Sequence, residues 1–181
     1  TFGIPNWFEH VGTEHQAARE KVVLIDQSSF CKFEIEGPKA LDFLDWLAAN
    51  NIDKPVGSVT YTQLCNARGT IECDLTIARL ADDKFFLVTG TAFGRHDAEW
   101  IKKHMPADGS VSFRDVTAGL AVINVIGPRS RQLLEKVTTI RSLSVLFAAC
   151  LMAVLALPVT AGSPKDEEVP ERRAPEIGNA E

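Results

Sequence analysis

The stretch SVTYTQLCNARGTIECDLTIARLADDKFFLVTG, residues 58–90, constrains the fold more than any other part of the chain. It reads as three strands separated by turn clusters at Asn66-Ala67-Arg68-Gly69 and Ala81-Asp82-Asp83. Connections this short leave no room for a crossover helix, so consecutive strands run antiparallel, as a meander. Within the middle strand Ile71, Cys73, Leu75 and Ile77 fall on one face, and Glu72, Asp74, Thr76 and Ala78 on the other. At about 3.3 Å of rise per residue the stems of Glu72 and Asp74 stand about 7 Å apart. Two carboxylates placed this way suit either a solvated sheet face or a site that needs a charged acceptor. Tyr61, one strand earlier, approaches Asp74 if the cross-strand register allows it.

The flanking sequence supplies helices. TEHQAAREKVVLID predicts a helix that starts at Thr13 as N-cap and runs to about Lys21, with a strand after it. CKFEIEG alternates Cys31, Phe33 and Ile35 against Lys32, Glu34 and Glu36, a half-buried strand, and Gly37-Pro38 opens a helix with the stripe Leu41, Leu44, Leu47 and Ala48. TAFGRHDAEWIKKHM reads as a helix, VSFRDVT and LAVINVIG as strands, and PRSRQLLEKV as a helix after Gly127-Pro128. Strand runs broken by single helices imply an α+β fold, an antiparallel meander sheet with packed helices, rather than a doubly wound parallel sheet.

Several functions lack their signals. A net charge of −5 with no Lys/Arg run gives nucleic acid no electrostatic footprint. No G-x-G-x-x-G follows a strand and no phosphate-binding G-x-x-x-x-G-K-[ST] occurs. Cys31, Cys65, Cys73 and Cys150 form no C-x-x-C pair and have no His at ligand spacing, so no metal site is expected and the thiols read as free and buried, in a reducing compartment. His15 and His96 read as surface or capping residues on helices, and Trp7, Trp46 and Trp100 as core fillers. Glu72 and Asp74, with Tyr61, remain the candidate site.

The chain opens on Thr1, which suggests a fragment or a processed product, and its character changes after Val137. Residues 138–161 are hydrophobic and signal-like, with no charged residue from Ser142 to Pro164, and 162–181 are Pro-rich and acidic, the composition of a disordered tail. Three readings stay open for this end: a membrane anchor through 143–159, a buried helix, or an unrelated reading frame joined in error. A span would be at the lower limit of length, and Lys136 and Arg141 would keep its start cytoplasmic.

From about residue 2 to about 137 the order of motifs resembles a known family. FGIPNWFE leads into EHQAAREKVVLIDQSSFCKFEIEGPKALDFLDWLAANNID and then YTQLCNARGTIECDLTIARLADDKFFLVTGTAFGRHDAEWI, which is similar to the folate-binding module of the aminomethyltransferases, the glycine-cleavage T-protein group. The flavour is that of the module at the C-terminal side of dimethylglycine and sarcosine dehydrogenases. The resemblance implies tetrahydrofolate as cofactor, a small amine as one-carbon donor, Asp74 as the carboxylate that contacts folate and orients the transfer, and Tyr61 as part of the folate pocket. T-proteins proper carry two adjacent aspartates where this chain has Cys73-Asp74, so Asp74 alone is carried over and Glu72 is not. A carboxylate suits this chemistry because it orients the amine and stabilises positive charge developing during transfer, where an amide would hold geometry only.

The resemblance also implies a second half of the module and, in the dehydrogenases, a flavin (FAD) domain or partner, neither matched here. The alternative is a non-catalytic, membrane-tethered folate-binding or interaction protein, and a relative that assists iron-sulfur maturation is a third variant. The body suits a bacterial cytoplasm or mitochondrial matrix, the tail a membrane.

Overall fold

Gly69 closes the first hairpin of the meander with φ of 77°, a left-handed value that a side chain would resist. Asn66 holds the same turn, its Oδ1 accepting the amides of Arg68 at 2.9 Å and Thr70 at 3.2 Å. The computed structural model describes residues 3–137. In chain order these form α1 (Phe8–Glu20), β1 (Val23–Asp26), β2 (Cys31–Glu36), α2 (Ala40–Leu47), β3 (Val59–Cys65), β4 (Ile71–Ala81), β5 (Lys84–Thr89), α3 (Gly94–His104), β6 (Ser112–Asp115), β7 (Ile123–Ile126) and α4 (Ser130–Val137).

The meander β3-β4-β5 forms one side of a five-stranded antiparallel sheet ordered β3-β4-β5-β2-β6, and β1 pairs with β7 in a separate two-stranded sheet. The inner face of the larger sheet contributes Phe33, Ile35, Leu64, Cys73, Leu75, Ile77, Phe85 and Leu87 to the core. Phe43, Leu44 and Leu47 of α2 and Ala98 and Ile101 of α3 complete that cluster, so both helices pack on this face. At one corner Gly37, with φ of 141°, lies where a Cβ would strike the backbone of Ser110, which leaves glycine the only fit.

Several local expectations need correction or refinement. Helix α1 begins at Phe8, not at Thr13, and the Thr13 hydroxyl donates within the helix to the Glu9 carbonyl at 3.0 Å instead of capping it. The stripe of α2 is Ala40, Phe43, Leu44 and Leu47, shifted from the expected one to include the aromatic. Trp7 and Trp46, expected in the core, are exposed. Lys32, expected on an exposed face of β2, is fully buried. Ile71 is exposed although its alternation partners Cys73, Leu75 and Ile77 are buried, because the β3–β4 register shifts between Leu64 and Cys65. Among the described residues no helix is long and apolar enough to cross a membrane. The expected hydrophobic segment 138–161, with its proposed membrane stretch 143–159, and the tail 162–181 lie outside the described residues.

Candidate functional site

The β3–β4–β5 register decides what the outer face of the sheet presents. Tyr61 stands opposite Thr76 and Gln63 opposite Asp74, so Tyr61 and Asp74 are diagonal neighbours on one face. Thr76 in turn faces Val88 across β5. Tyr61, Asp74, Thr76 and Val88 line a cavity of about 490 Å³ at the end of the sheet, together with Phe30, Ile71, Glu72, Leu75, Thr89, Gly90, Phe93 and Asp97. That volume lies within the range of small-molecule sites. Among the described residues three carboxylates and three aromatic rings contribute to its walls, and no Lys, Arg or His does.

Each carboxylate is held differently. Glu72 Oε1 accepts from Asn66 Nδ2 at 2.7 Å, so the hairpin turn fixes it, and its Oε2 lies 3.5 Å from His96 Nε2. Asp74, exposed, accepts a longer bond of 3.4 Å from Gln63 Nε2, its cross-strand partner. Asp97, in the first turn of α3, is buried; Thr89 Oγ1 donates to its Oδ2, and His96 Nδ1 lies 3.1 Å from its Oδ1. Beside it Cys73 is buried on the core side of β4, and burial, with the neighbouring Asp97 and then Glu72, pushes its thiol well above the usual range. Cys73, His96 and Asp97 offer ligand atoms within 4.8 Å of one another.

The structure places all three residues the sequence singled out, Glu72, Asp74 and Tyr61, on the walls of one cavity. Reading along the chain missed Asp97, Thr89, Phe30 and Phe93. Asp97 had one available signal, a lone acid at a position of α3 that faces the core, where an unpaired charge is costly and points to a built environment. His96, expected at the surface, is half exposed but bridges two of the carboxylates.

A family model described as the GCVT N-terminal domain matches residues 1–156. The chain belongs to that family. Over 138 residues, 76% of its length, it is 43% identical to 4-methylaminobutanoate oxidase (formaldehyde-forming) of Paenarthrobacter nicotinovorans, covering 17% of that protein. Over 140 residues, again 76% of the chain, it is 39% identical to the mitochondrial pyruvate dehydrogenase phosphatase regulatory subunit of Mus musculus, covering 16% of it. The solved glycine cleavage system aminomethyltransferase T from Bartonella henselae superposes with a TM-score of 0.63 at 27% identity, over 68% of this chain and 34% of that one. Dimethylglycine dehydrogenases and aminomethyltransferases are also among its relatives, so the GCVT N-terminal domain is shared by transferases and by enzymes named as oxidases and dehydrogenases of methylated amines. The chain spans about a sixth of the two curated relatives described and a third of the solved enzyme.

Proposed function

We propose that this GCVT N-terminal domain is the folate-cradling part of a one-carbon transfer module, with Asp74 as the carboxylate that receives and orients the reacting amine of tetrahydrofolate and Tyr61 as a wall of its pocket. One observation carries the reading: Tyr61 and Asp74, separated by a hairpin in sequence, meet diagonally on one sheet face and line one cavity. The cavity's chemistry fits the group. A reduced pterin presents N–H donors along its edge and flat faces above and below, and the walls offer carboxylate acceptors with Phe30, Tyr61 and Phe93 as apolar flanks. The glutamyl end of folate is anionic and finds no cation among the described walls, which favours a pose with that end turned away from them.

Bound tetrahydrofolate supplies the nucleophilic nitrogen that accepts the one-carbon unit. The protein's share is positional and electrostatic. Asp74, held by a long bond from Gln63, keeps acceptor capacity for a substrate amine and stabilises positive charge developing beside it. Thr76 and Val88 form the floor beneath it. A donor amine and a flavin-bearing domain or partner belong to the same reading, in keeping with a relative named as a formaldehyde-forming oxidase of a methylated amine.

Asp74→Asn tests it, because the amide keeps size and removes charge. In the 181-residue chain, tetrahydrofolate binding followed by calorimetry should weaken roughly 10- to 100-fold, the worth of a charge-assisted bond, while the melting temperature stays put. Unchanged affinity in a folded variant would remove Asp74 from the site. A second reading, a folate-binding module without catalysis, is favoured by the relative named as a regulatory subunit. Binding that depends on Asp74 without any one-carbon transfer, when the chain is supplied with an N-methylamine-oxidising flavoenzyme, would select it.

A further inference from the structure

At the end of the sheet where β4 passes under α3, three potential ligands from distant parts of the chain converge. Cys73 comes from β4 and is 2% exposed; His96 and Asp97 come from the first turn of α3, and Asp97 is 1% exposed. We propose that Cys73 Sγ, His96 Nδ1 and Asp97 Oδ1 form a binding site for a zinc-type divalent cation beside the folate cavity. The donor set of one thiolate, one imidazole and one carboxylate is of the kind that selects Zn²⁺ over Mg²⁺ or Ca²⁺, which prefer oxygen alone.

Geometry supports the assignment at two levels. His96 Nδ1 and Asp97 Oδ1 lie 3.1 Å apart. Two ligands on a tetrahedral zinc with bonds near 2.0 Å are separated by roughly 3.3 Å, so this pair already stands at ligand spacing. Cys73, His96 and Asp97 each offer a ligand atom within 4.8 Å of the others, close enough for side-chain adjustment to bring the sulfur onto a shared ion.

The outer contacts are those a metal site uses to aim its ligands. With Nδ1 on the metal, His96 Nε2–H points at the Glu72 carboxylate 3.5 Å away, and Asn66 holds that carboxylate in turn. The second oxygen of Asp97 is held by the Thr89 hydroxyl, which leaves Oδ1 directed at His96. Three protein ligands leave a fourth position for a water or a bound molecule, and Asp97 is itself a wall of the cavity. Binding replaces the thiol proton of Cys73 by the metal, and the proton leaves to solvent. A hydrogen-bonded cluster with no metal is the competing account of the same residues. The proposal stands apart from the folate reading, since neither Asp74 nor Tyr61 takes part.

Cobalt decides between the two accounts. Titrating Co²⁺ under reducing conditions into the 181-residue chain carrying Cys31→Ser, Cys65→Ser and Cys150→Ser should raise a thiolate-to-cobalt charge-transfer band that saturates at one equivalent and is bleached by Zn²⁺. Adding Cys73→Ser should abolish the band. His96→Gln, at a half-exposed position that tolerates change, should weaken Co²⁺ binding more than 10-fold, and Glu72→Gln, which loosens the histidine, by roughly 10-fold. Absence of the band at one equivalent, its survival in Cys73→Ser, or unchanged affinity in His96→Gln would each overturn the site, the last even where Cys73→Ser fails to fold. A band that Zn²⁺ does not bleach would overturn the zinc assignment.

Discussion

On the inner face of the five-stranded sheet, Phe33, Ile35, Leu75, Ile77, Phe85 and Leu87 pack beneath α2 and α3 with almost no exposed area. Alternate positions of the same strands place Lys32, Glu34, Tyr61, Asp74 and Thr76 on the outer face. That face carries charge, aromatic area and part of the cavity wall, and the two helices of the core pack on the opposite side, so Tyr61 is left 60% exposed. Adjacent residues therefore face opposite ways, as buried Cys73 and exposed Asp74 do. A substitution on the inner face should be read in stability, and one on the outer face in binding.

The largest effect should come from emptying the inner face. Phe85 is fully buried against the core, so Phe85→Ala removes a ring and leaves a cavity, at a cost of about 3–5 kcal/mol in urea denaturation. Asp74→Asn, a near-isosteric change at an exposed position of the outer face, should alter the same stability by less than about 0.5 kcal/mol. Similar losses in the two variants would break the division between faces.

That division is legible in the sequence because it follows from period-two alternation. The meander, its two turns, the faces of β4 and the approach of Tyr61 to Asp74 as a possibility all come from local pattern. What local pattern does not carry is contact between distant segments. β1 and β7, paired from Val23–Ile126 to Asp26–Ile123, are separated by most of the domain. The same holds for Glu72 and Cys73 meeting His96 and Asp97, whose four residues show no ligand spacing because two come from a strand and two from a helix. Lys32 departs from its expected place for a related reason: alternation assigns it an outer face, yet it is fully buried, with Thr117, 85 residues on, bonded to its backbone and the Ser28 carbonyl accepting from its Nζ. The start of α1 departs through capping, since Thr13 is a good N-cap residue placed inside a helix that begins at Phe8 without a side-chain cap.

Lys32 sharpens the comparison, as a charge on the outer face with the burial of the inner one. Its Nζ donates to the Ser28 carbonyl at 2.7 Å, and desolvation holds its pKa below the ordinary lysine range, only partly offset by Cys31, Asp115 and Asp26. A lysine pKa lowered by folding means that the folded state binds fewer protons than the unfolded chain between the two values. Stability should therefore rise as pH climbs from the folded pKa toward the unfolded value of about 10.4. Lys32→Met should raise stability at pH 7 by about 1–2 kcal/mol and flatten that alkaline rise. A loss at pH 7 would show that the bond to Ser28 outweighs desolvation.

A smaller effect than that of Lys32 belongs to the ion pairs at the far end of the outer face. Glu34 on β2 accepts from Arg114 on β6 and lies 3.4 Å from Lys84 on β5, and Lys84 also reaches Glu36 at 3.4 Å, so charge joins three neighbouring strands. The Arg114 hydrogen bond, with Lys84, holds the Glu34 carboxyl below its ordinary range. Because Glu34 is pulled down in the folded state, its contribution is complete above the unfolded value of about 4.3 and is lost as pH falls through the folded one. Arg114 is 65% exposed, so solvent screens the pair and Glu34→Gln should cost only about 0.5–1 kcal/mol at pH 7. Plotted against pH, the stabilities of the two proteins should converge in acid, where the native glutamate is protonated and resembles its amide. Curves that stay parallel down to acid would mean that the substitution acts through packing on β2 and not through charge, and the outer face would then be held together by the same contacts as the inner.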